Sequence, residues 1–428
     1  MTLVLRDAHL IDPAGREGPG GLLISDGVIA DLAWGAVPDA PEGAEILECG
    51  GLMLAPGIVD LGVKIGEPGE RHKESFRTGG QAAAAGGVTT MVTRPDTDPP
   101  IDTPESLEFV TRRARETSPV RVLPLAALTK ARAGAEMTEI GLLRDAGAVG
   151  FTDVDRVVRD TKVLARALAY SGALGALVIH HPQEPGLSGG AVATSGAFAS
   201  RLGLPAVSPM AERMGVARDL ALAEMARARM HLDKLTTGAA LPLIRQARSA
   251  GVDVTAGANI HHLTLNEYDI GEYRTFFKLT PPLRAEADRT ALVEAVADGT
   301  IDIISSFHTP QDEESKRLPF EDAAPGAVGL ETLLPAALRL WHAGAVTLPA
   351  LFACLSANPA RRLGQATGRM AAGAPADLVL FDPHKPYMLD RHALRSKSKN
   401  TPFDLTRMQG VVQRSWVAGR QVYPEAAT

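Results

Sequence analysis

A chain of 428 residues with 45% hydrophobic content is longer than one simple domain and has ample material for a core. Its net charge of −6 and pI of about 6.0 argue against a nucleic-acid or acidic-membrane partner, because both require a basic face. Only Cys49 and Cys354 are present, which excludes a disulfide framework and a thiolate metal cluster. The opening MTLVLRDAHLIDPAG alternates like a strand and lacks the basic-then-apolar layout of a leader. No apolar run approaches the roughly 20 residues of a membrane span. A cytoplasmic protein is expected.

Residues 1–53 read as short strands at Thr2–Leu5, Gly21–Ser25, Val28–Leu32 and Glu45–Glu48, separated by Asp-Pro-Ala-Gly and Gly-Pro-Gly-Gly turn chemistry. From 54 to 370 the pattern changes. Strand-length apolar runs appear at Gly87–Val92, Val120–Leu125, Ala148–Phe151, Ala176–His180, Arg229–Leu232, Asp253–Ala256 and Ile301–Ser305. Between them lie Ala- and Arg-rich helical stretches, among them Thr161–Tyr170, Val216–Ala228 and Leu241–Ala250. Residues 371–428 return to strands at Ala376–Phe381, Gly410–Val412 and Ser415–Ala418, with Gly419 in a hairpin turn. The reading is α/β: a (β/α)₈ TIM-like barrel over 54–370, flanked by one small composite β domain built from 1–53 and 371–428. A doubly wound open sheet is the runner-up, without a Gly-rich phosphate fingerprint to support it.

At residues 54–102 the strings LAPGIVDLGVKIGEPG and AAAAGGVTTMVTRPDTDPPID resemble the opening of the class I dihydroorotases, of the amidohydrolase superfamily. Further strings match in order: Gly150-Phe151-Thr152-Asp153, His261-His262-Leu263, Pro281-Pro282-Leu283-Arg284, Gly329-Leu330-Glu331-Thr332, Asn358-Pro359-Ala360 and Lys399-Asn400-Thr401-Pro402-Phe403. The resemblance implies a metal-dependent barrel that interconverts carbamoyl aspartate and dihydroorotate, with its site at the C-terminal ends of the barrel strands.

Against that pattern, the metal positions are altered. Where the family has His-x-His this chain has Gly62-Val63-Lys64, and glycine offers no ligand while an ammonium has no lone pair. Asp153 retains the next ligand position, His180 or His181 fills the following one, and Lys234 stands where another His belongs. Phe307 occupies the place of the catalytic Asp, and a phenyl ring takes no proton. The substrate-binding positions carry Gly66, Asp96, Thr280 and Gln311, and the negative charge of Asp96 is expected to repel an anionic substrate. If Lys64 and Lys234 project inward, they are expected beside Asp153 in place of the metal charge. His308 and the His261–His262 pair read as packing or hydrogen-bonding groups, and Gly186–Gly196 as a flexible loop, since it lacks the Gly-Lys-Ser/Thr ending of a phosphate loop.

These substitutions lead to an expected metal-deficient pseudoenzyme with no cofactor. Such a chain would be a non-catalytic dihydroorotase homologue of pyrimidine biosynthesis, oligomeric and supporting aspartate carbamoyltransferase. The alternative is an active metal-dependent cyclic amidohydrolase, a dihydroorotase or relative, with an atypical site and one or two zinc ions.

Overall fold

The computed structural model describes residues 2–425. Its strands in chain order are β1 (Leu3–Asp12), β2 (Arg16–Ser25), β3 (Val28–Trp34), β4 (Glu45–Glu48), β5 (Met53–Pro56), β6 (Ile58–Val63), β7 (Val88–Thr93), β8 (Arg121–Pro124), β9 (Leu177–His180), β10 (Ala193–Thr194), β11 (Ala206–Val207), β12 (Arg229–Leu232), β13 (Val254–Asn259), β14 (Ile303–Ser305), β15 (Leu378–Met388), β16 (Arg407–Val417) and β17 (Arg420–Tyr423). Strands from both ends of the sequence share one eight-stranded sheet, ordered β17-β16-β15-β5-β1-β2-β3, with β4 on β1. The seam is β5, parallel to β1 at His9–Met53 and antiparallel to β15 at Pro56–Leu378. Inward side chains of both ends (Leu5, Leu10, Leu22, Ile24, Leu54, Leu378 and Trp416) form one apolar cluster, the driving force for joining them.

The middle of the chain is parallel. β6, β7 and β8 pair side by side, and β14-β13-β12-β9 do likewise. Phe151 links the two sets by parallel bridges to Ala126 and Val178. At the opposite edge Lys64 N donates to His308 O at 2.8 Å. Every residue of β6 and β7 is buried, as strands covered on both faces must be. The strand expected at Ala148–Phe151 shrinks to those bridges. It sits between Gly147, at φ +108°, and the turn at Asp153, which leaves too few extended residues for a ladder.

Helices between the strands begin at side-chain caps. Ser75 with Thr78, and Thr103 with Ser106, form reciprocal capping boxes, and Asp160 caps Thr161–Leu174, which ends on Gly175 at φ +65°. Helix Met210–Ala226 starts six residues earlier than its apolar pattern suggests, because Glu212 turns inward to accept hydrogen bonds from Thr236 and Thr237.

Asp377, 1% exposed, ties the two parts together. It accepts from Ala418 N at 2.7 Å, Thr367 Oγ1 at 2.8 Å and Arg121 Nη2 at 3.1 Å, joining β15, the turn before β17 and β8. Asp377→Ala leaves the buried Thr367 hydroxyl and the Ala418 amide without this partner and is expected to cost about 1–3 kcal/mol in denaturant unfolding. A loss below about 0.5 kcal/mol would show that the tie is dispensable.

Candidate active site

The charged and aromatic side chains around the site follow the C-terminal ends of parallel strands. Lys64 follows β6, Arg94 and Asp96 follow β7, His181 follows β9, Asp233 and Lys234 follow β12, and Phe307 follows β14, while Asp153 and Asp155 follow Phe151. Strand ends in α/β folds are where ligands bind, because loops there are free to vary over a fixed frame.

Six charges here alternate in sign. Glu70 lies 2.9 Å from Lys64 Nζ, which lies 3.7 Å from Asp96 Oδ2. Asp96 is gripped by Arg94 through two bonds of 3.0 and 2.6 Å. Arg94 Nη2 reaches Asp155 at 3.8 Å, and Asp155 accepts a hydrogen bond from Lys234 Nζ. Burial opposes ionisation of Asp96, but Arg94 and Lys64 outweigh it and hold the carboxyl below the ordinary carboxylate range. Asp155 is likewise held low, against burial, by Lys234 and Arg94. The expected repulsion of anions by Asp96 is therefore corrected, since that charge is neutralised within the chain.

Lys234 and Lys64 do project inward, but not to Asp153. Among the described residues neither lies within 4.0 Å of that carboxylate; Asp96 and Asp155 take them instead. Asp153 accepts from Leu128 N at 3.1 Å, Thr129 N at 3.0 Å and Thr129 Oγ1 at 2.5 Å, so a neighbouring loop satisfies it. Burial raises its carboxyl above the usual value in spite of those bonds.

Gly62 and Phe307 fit one another. A Cβ on Gly62 would lie 2.8 Å from the Phe307 ring, so the ring fills the space a side chain at 62 would need. Lys234 Nζ stands 5.1 Å from the centroid of the same ring, within cation–π range. Phe307 and Lys234 both hold left-handed backbone, φ +47° and +53°, and Gly62 has φ +96°. Such a conformation costs an L-residue about 1–2 kcal/mol, and it persists where packing over-determines it.

The adjacent histidines diverge. His180 uses both ring nitrogens: Nδ1 is 2.5 Å from Asp219, and Nε2 accepts from Val158 N at 3.3 Å. His181 is 4% exposed, and among the described residues its Nδ1 has no hydrogen-bond partner. Burial, reinforced by Lys234, pushes the His181 imidazole down to about 3, so it is neutral at physiological pH. Of the two, His181 is the one that opens onto the site.

The zinc ions that the dihydroorotase resemblance implies are tested by the donor set. Lys64 and Lys234 direct ammonium groups inward, Gly62 has no side chain, the Phe307 ring blocks its space, and His180 has no lone pair to spare. Asp96 and Asp155 are already paired with cations, and among the described residues no group of three His, Cys, Asp or Glu side chains is arranged to hold a metal. These residues do not fit a zinc centre.

The remaining positions separate. A Cβ on Gly66 would lie 2.2 Å from Glu70 O, so the turn requires glycine there. Thr280 lines the open cavity beside His181. Gln311 does not reach it; Nε2 donates to Pro325 O at 2.9 Å and the backbone N to Asn400 Oδ1. Sequence reasoning missed Arg94, Asp155, Glu70 and Asp233. The Arg94-x-Asp96 spacing was the available signal, since one residue between them lets both side chains share a face after a strand.

Lys234→Met is expected to destabilise the fold by roughly 2–3 kcal/mol, less than the 3–5 typical of a fully buried pair because the Asp155 carboxylate is partly open to water. Asp96 and Asp155 have folded values below their unfolded ones. Their contribution is therefore complete above about pH 4 and is lost as pH falls through the folded values. Melting curves should show the Lys234→Met penalty shrinking with acidification below about pH 4; a penalty unchanged with pH would remove the electrostatic account.

The chain is similar to dihydroorotases along its whole length. It is 38% identical over 426 residues to the dihydroorotase of Syntrophus aciditrophicus (strain SB), covering 99% of this chain and 100% of the relative. To the dihydroorotase of Geobacter sp. (strain M21) it is 37% identical over 424 residues, covering 99% of each. The family described as Dihydro-orotase-like matches residues 51–239. Among solved structures, L-hydantoinase (dihydropyrimidinase) from Arthrobacter aurescens superposes with a TM-score of 0.89 at 24% identity, covering 100% of this chain and 97% of that one. Dihydropyrimidinase from Brevibacillus agri NCHU1002 gives 0.85 at 21%, covering 99% and 95%. At such identities these likenesses show the fold alone. The expectation of a non-catalytic supporting subunit is overturned by the end-to-end relatives, which are named for a catalytic activity. The error lay in reading lost metal ligands as lost function, although a family's chemistry is a property of the site as a whole. On this full-length similarity, the chain belongs to the dihydroorotase family.

Proposed function

We propose that this protein interconverts a cyclic amide and its open ureido acid, the dihydroorotase-type reaction, at the strand ends of a (β/α)₈ barrel formed by the parallel strands. The observation that carries this reading is the end-to-end similarity to dihydroorotases, 38% over 99% of the chain. The closing contact from Lys64 N to His308 O supports the barrel.

The site's own residues suggest how the reaction is assisted. Lys234, Arg94 and Lys64, each paired with a carboxylate, are the cationic hydrogen-bond donors at the strand ends available to a ring carbonyl that gathers negative charge during attack. Asp233, following β12, is buried, and burial pushes its carboxyl up to about 7 against the pull of Lys234 and Arg94. That value suits a group exchanging a proton near neutrality. Among the described residues Asp233 Oδ1 has no hydrogen-bond partner.

The purified protein is to be assayed in both directions with dihydroorotate and carbamoyl aspartate, once after chelator treatment and once with added zinc. Interconversion is expected, with Asp233→Asn lowering kcat by about 10²-fold or more at an unchanged melting temperature. Failure of ring opening and closure in both preparations would overturn the reading.

A further inference from the structure

Apart from the charge chain, a cavity of about 250 Å³ lies between the short helix Glu313–Lys316 and the segment 391–400. Lys316 lines it, although the residue is only 4% exposed. Its Nζ donates to Ala324 O at 2.6 Å and Thr275 O at 3.1 Å, two neutral acceptors. Among the described residues no carboxylate lies within ion-pairing distance of that nitrogen. The acids next to it in sequence are engaged elsewhere or face water: Asp312 meets His72 and Lys73, Glu313 pairs with Arg317, and Glu314 is exposed. Glu321 and Asp322 act on Lys278. Lys278, itself buried, adds a like charge beside Lys316, and Arg391, His392, Lys397 and Lys399 close the facing wall. Burial, reinforced by Lys278, pushes the Lys316 ammonium down to about 7. Exposed lysines hold their protons up to about 10.4, so near neutrality Lys316 presents a lone pair where they present none.

We propose that Lys316 is a covalent attachment site for a small aldehyde bearing an anionic group, held as an imine in this cavity. The Nζ lone pair attacks the aldehyde carbon to form a carbinolamine. The carbonyl oxygen then departs as water with both amine protons, and the C=N bond is left; nothing is oxidised or reduced. Desolvation and a neighbouring cation are the two ways a lysine is activated for this chemistry, and Lys316 has both. Lys399, whose Nζ is bonded to the carbonyls of Leu394 and Ser396, supplies positive charge in the facing wall and favours an anionic substituent. Gln311 also lines the cavity, and among the described residues its Oε1 has no partner, which makes it the acceptor for the carbinolamine hydroxyl. The site shares no residue with the charge chain, and the inference stands whether or not the proposed reaction does.

The full chain is to be incubated with glyoxylate or, separately, acetaldehyde, with cyanoborohydride present to reduce any imine to a stable secondary amine, and mapped by peptide mass spectrometry. At pH 7 glyoxylate should mark Lys316 at least tenfold faster than the exposed Lys162 and Lys385. That preference should be larger with glyoxylate than with acetaldehyde, which lacks the charge. Raising the pH to about 10 should shrink it, because the exposed lysines then lose protons as well. Lys399→Gln should reduce the glyoxylate preference to that of acetaldehyde. Marking of Lys316 no faster than of the exposed lysines, or an equal preference with both aldehydes, would overturn the inference.

Discussion

The site is organised by one constraint: a charge taken away from water must meet its opposite nearby. From Glu70 through Lys64, Asp96, Arg94 and Asp155 to Lys234, each side chain answers the one before it, and the sequence of signs never repeats. Each link joins a loop after one strand to a loop after another or fixes a single loop, so the electrostatic order is also the order of the strand ends. Breaking an ion pair of this kind costs little on an open surface and much where one partner is buried, because the other charge is left without an answer. Lys234 and Arg94, at 2% and 4% exposure, are at the demanding end of that range.

Much of this was legible in the residues themselves. The strand–helix rhythm, the strand-rich ends that share a sheet, and the strands at Arg229–Leu232 and Glu45–Glu48 follow from alternation and turn chemistry, which are local. Gly62, Lys64, Lys234 and Phe307 were legible for a different reason: each stands in a recognisable string and cannot do what the string's usual residue does. What sequence could not supply was partnership. Asp153 seemed to need Lys64 and Lys234, but Thr129, from a loop 24 residues away, satisfies it. Asp155 drew no notice in sequence, although it receives Lys234. The strand expected near Phe151 fell short because two turns crowd it, a tertiary limit that propensity does not register.

Kinship and chemistry carry different information here. Full-length similarity fixes the frame, and with it the strand ends at which a site must be built. It leaves open which side chains supply positive charge at those ends. In this chain lysines and arginines fill that role, placed by packing rather than by coordination. An ammonium is directional only through its three donors, so it tolerates a looser cage than a metal does.

The close fit of Gly62 against the phenyl ring has a consequence for how such a site can change. A histidine at position 62 has no room until the ring at 307 shrinks, while a smaller residue at 307 alone opens a void beside an ammonium that has lost its aromatic neighbour. Each step is unfavourable without the other, so the two positions are epistatic. Placing an imidazole at position 62 on this frame therefore demands a paired change at 307.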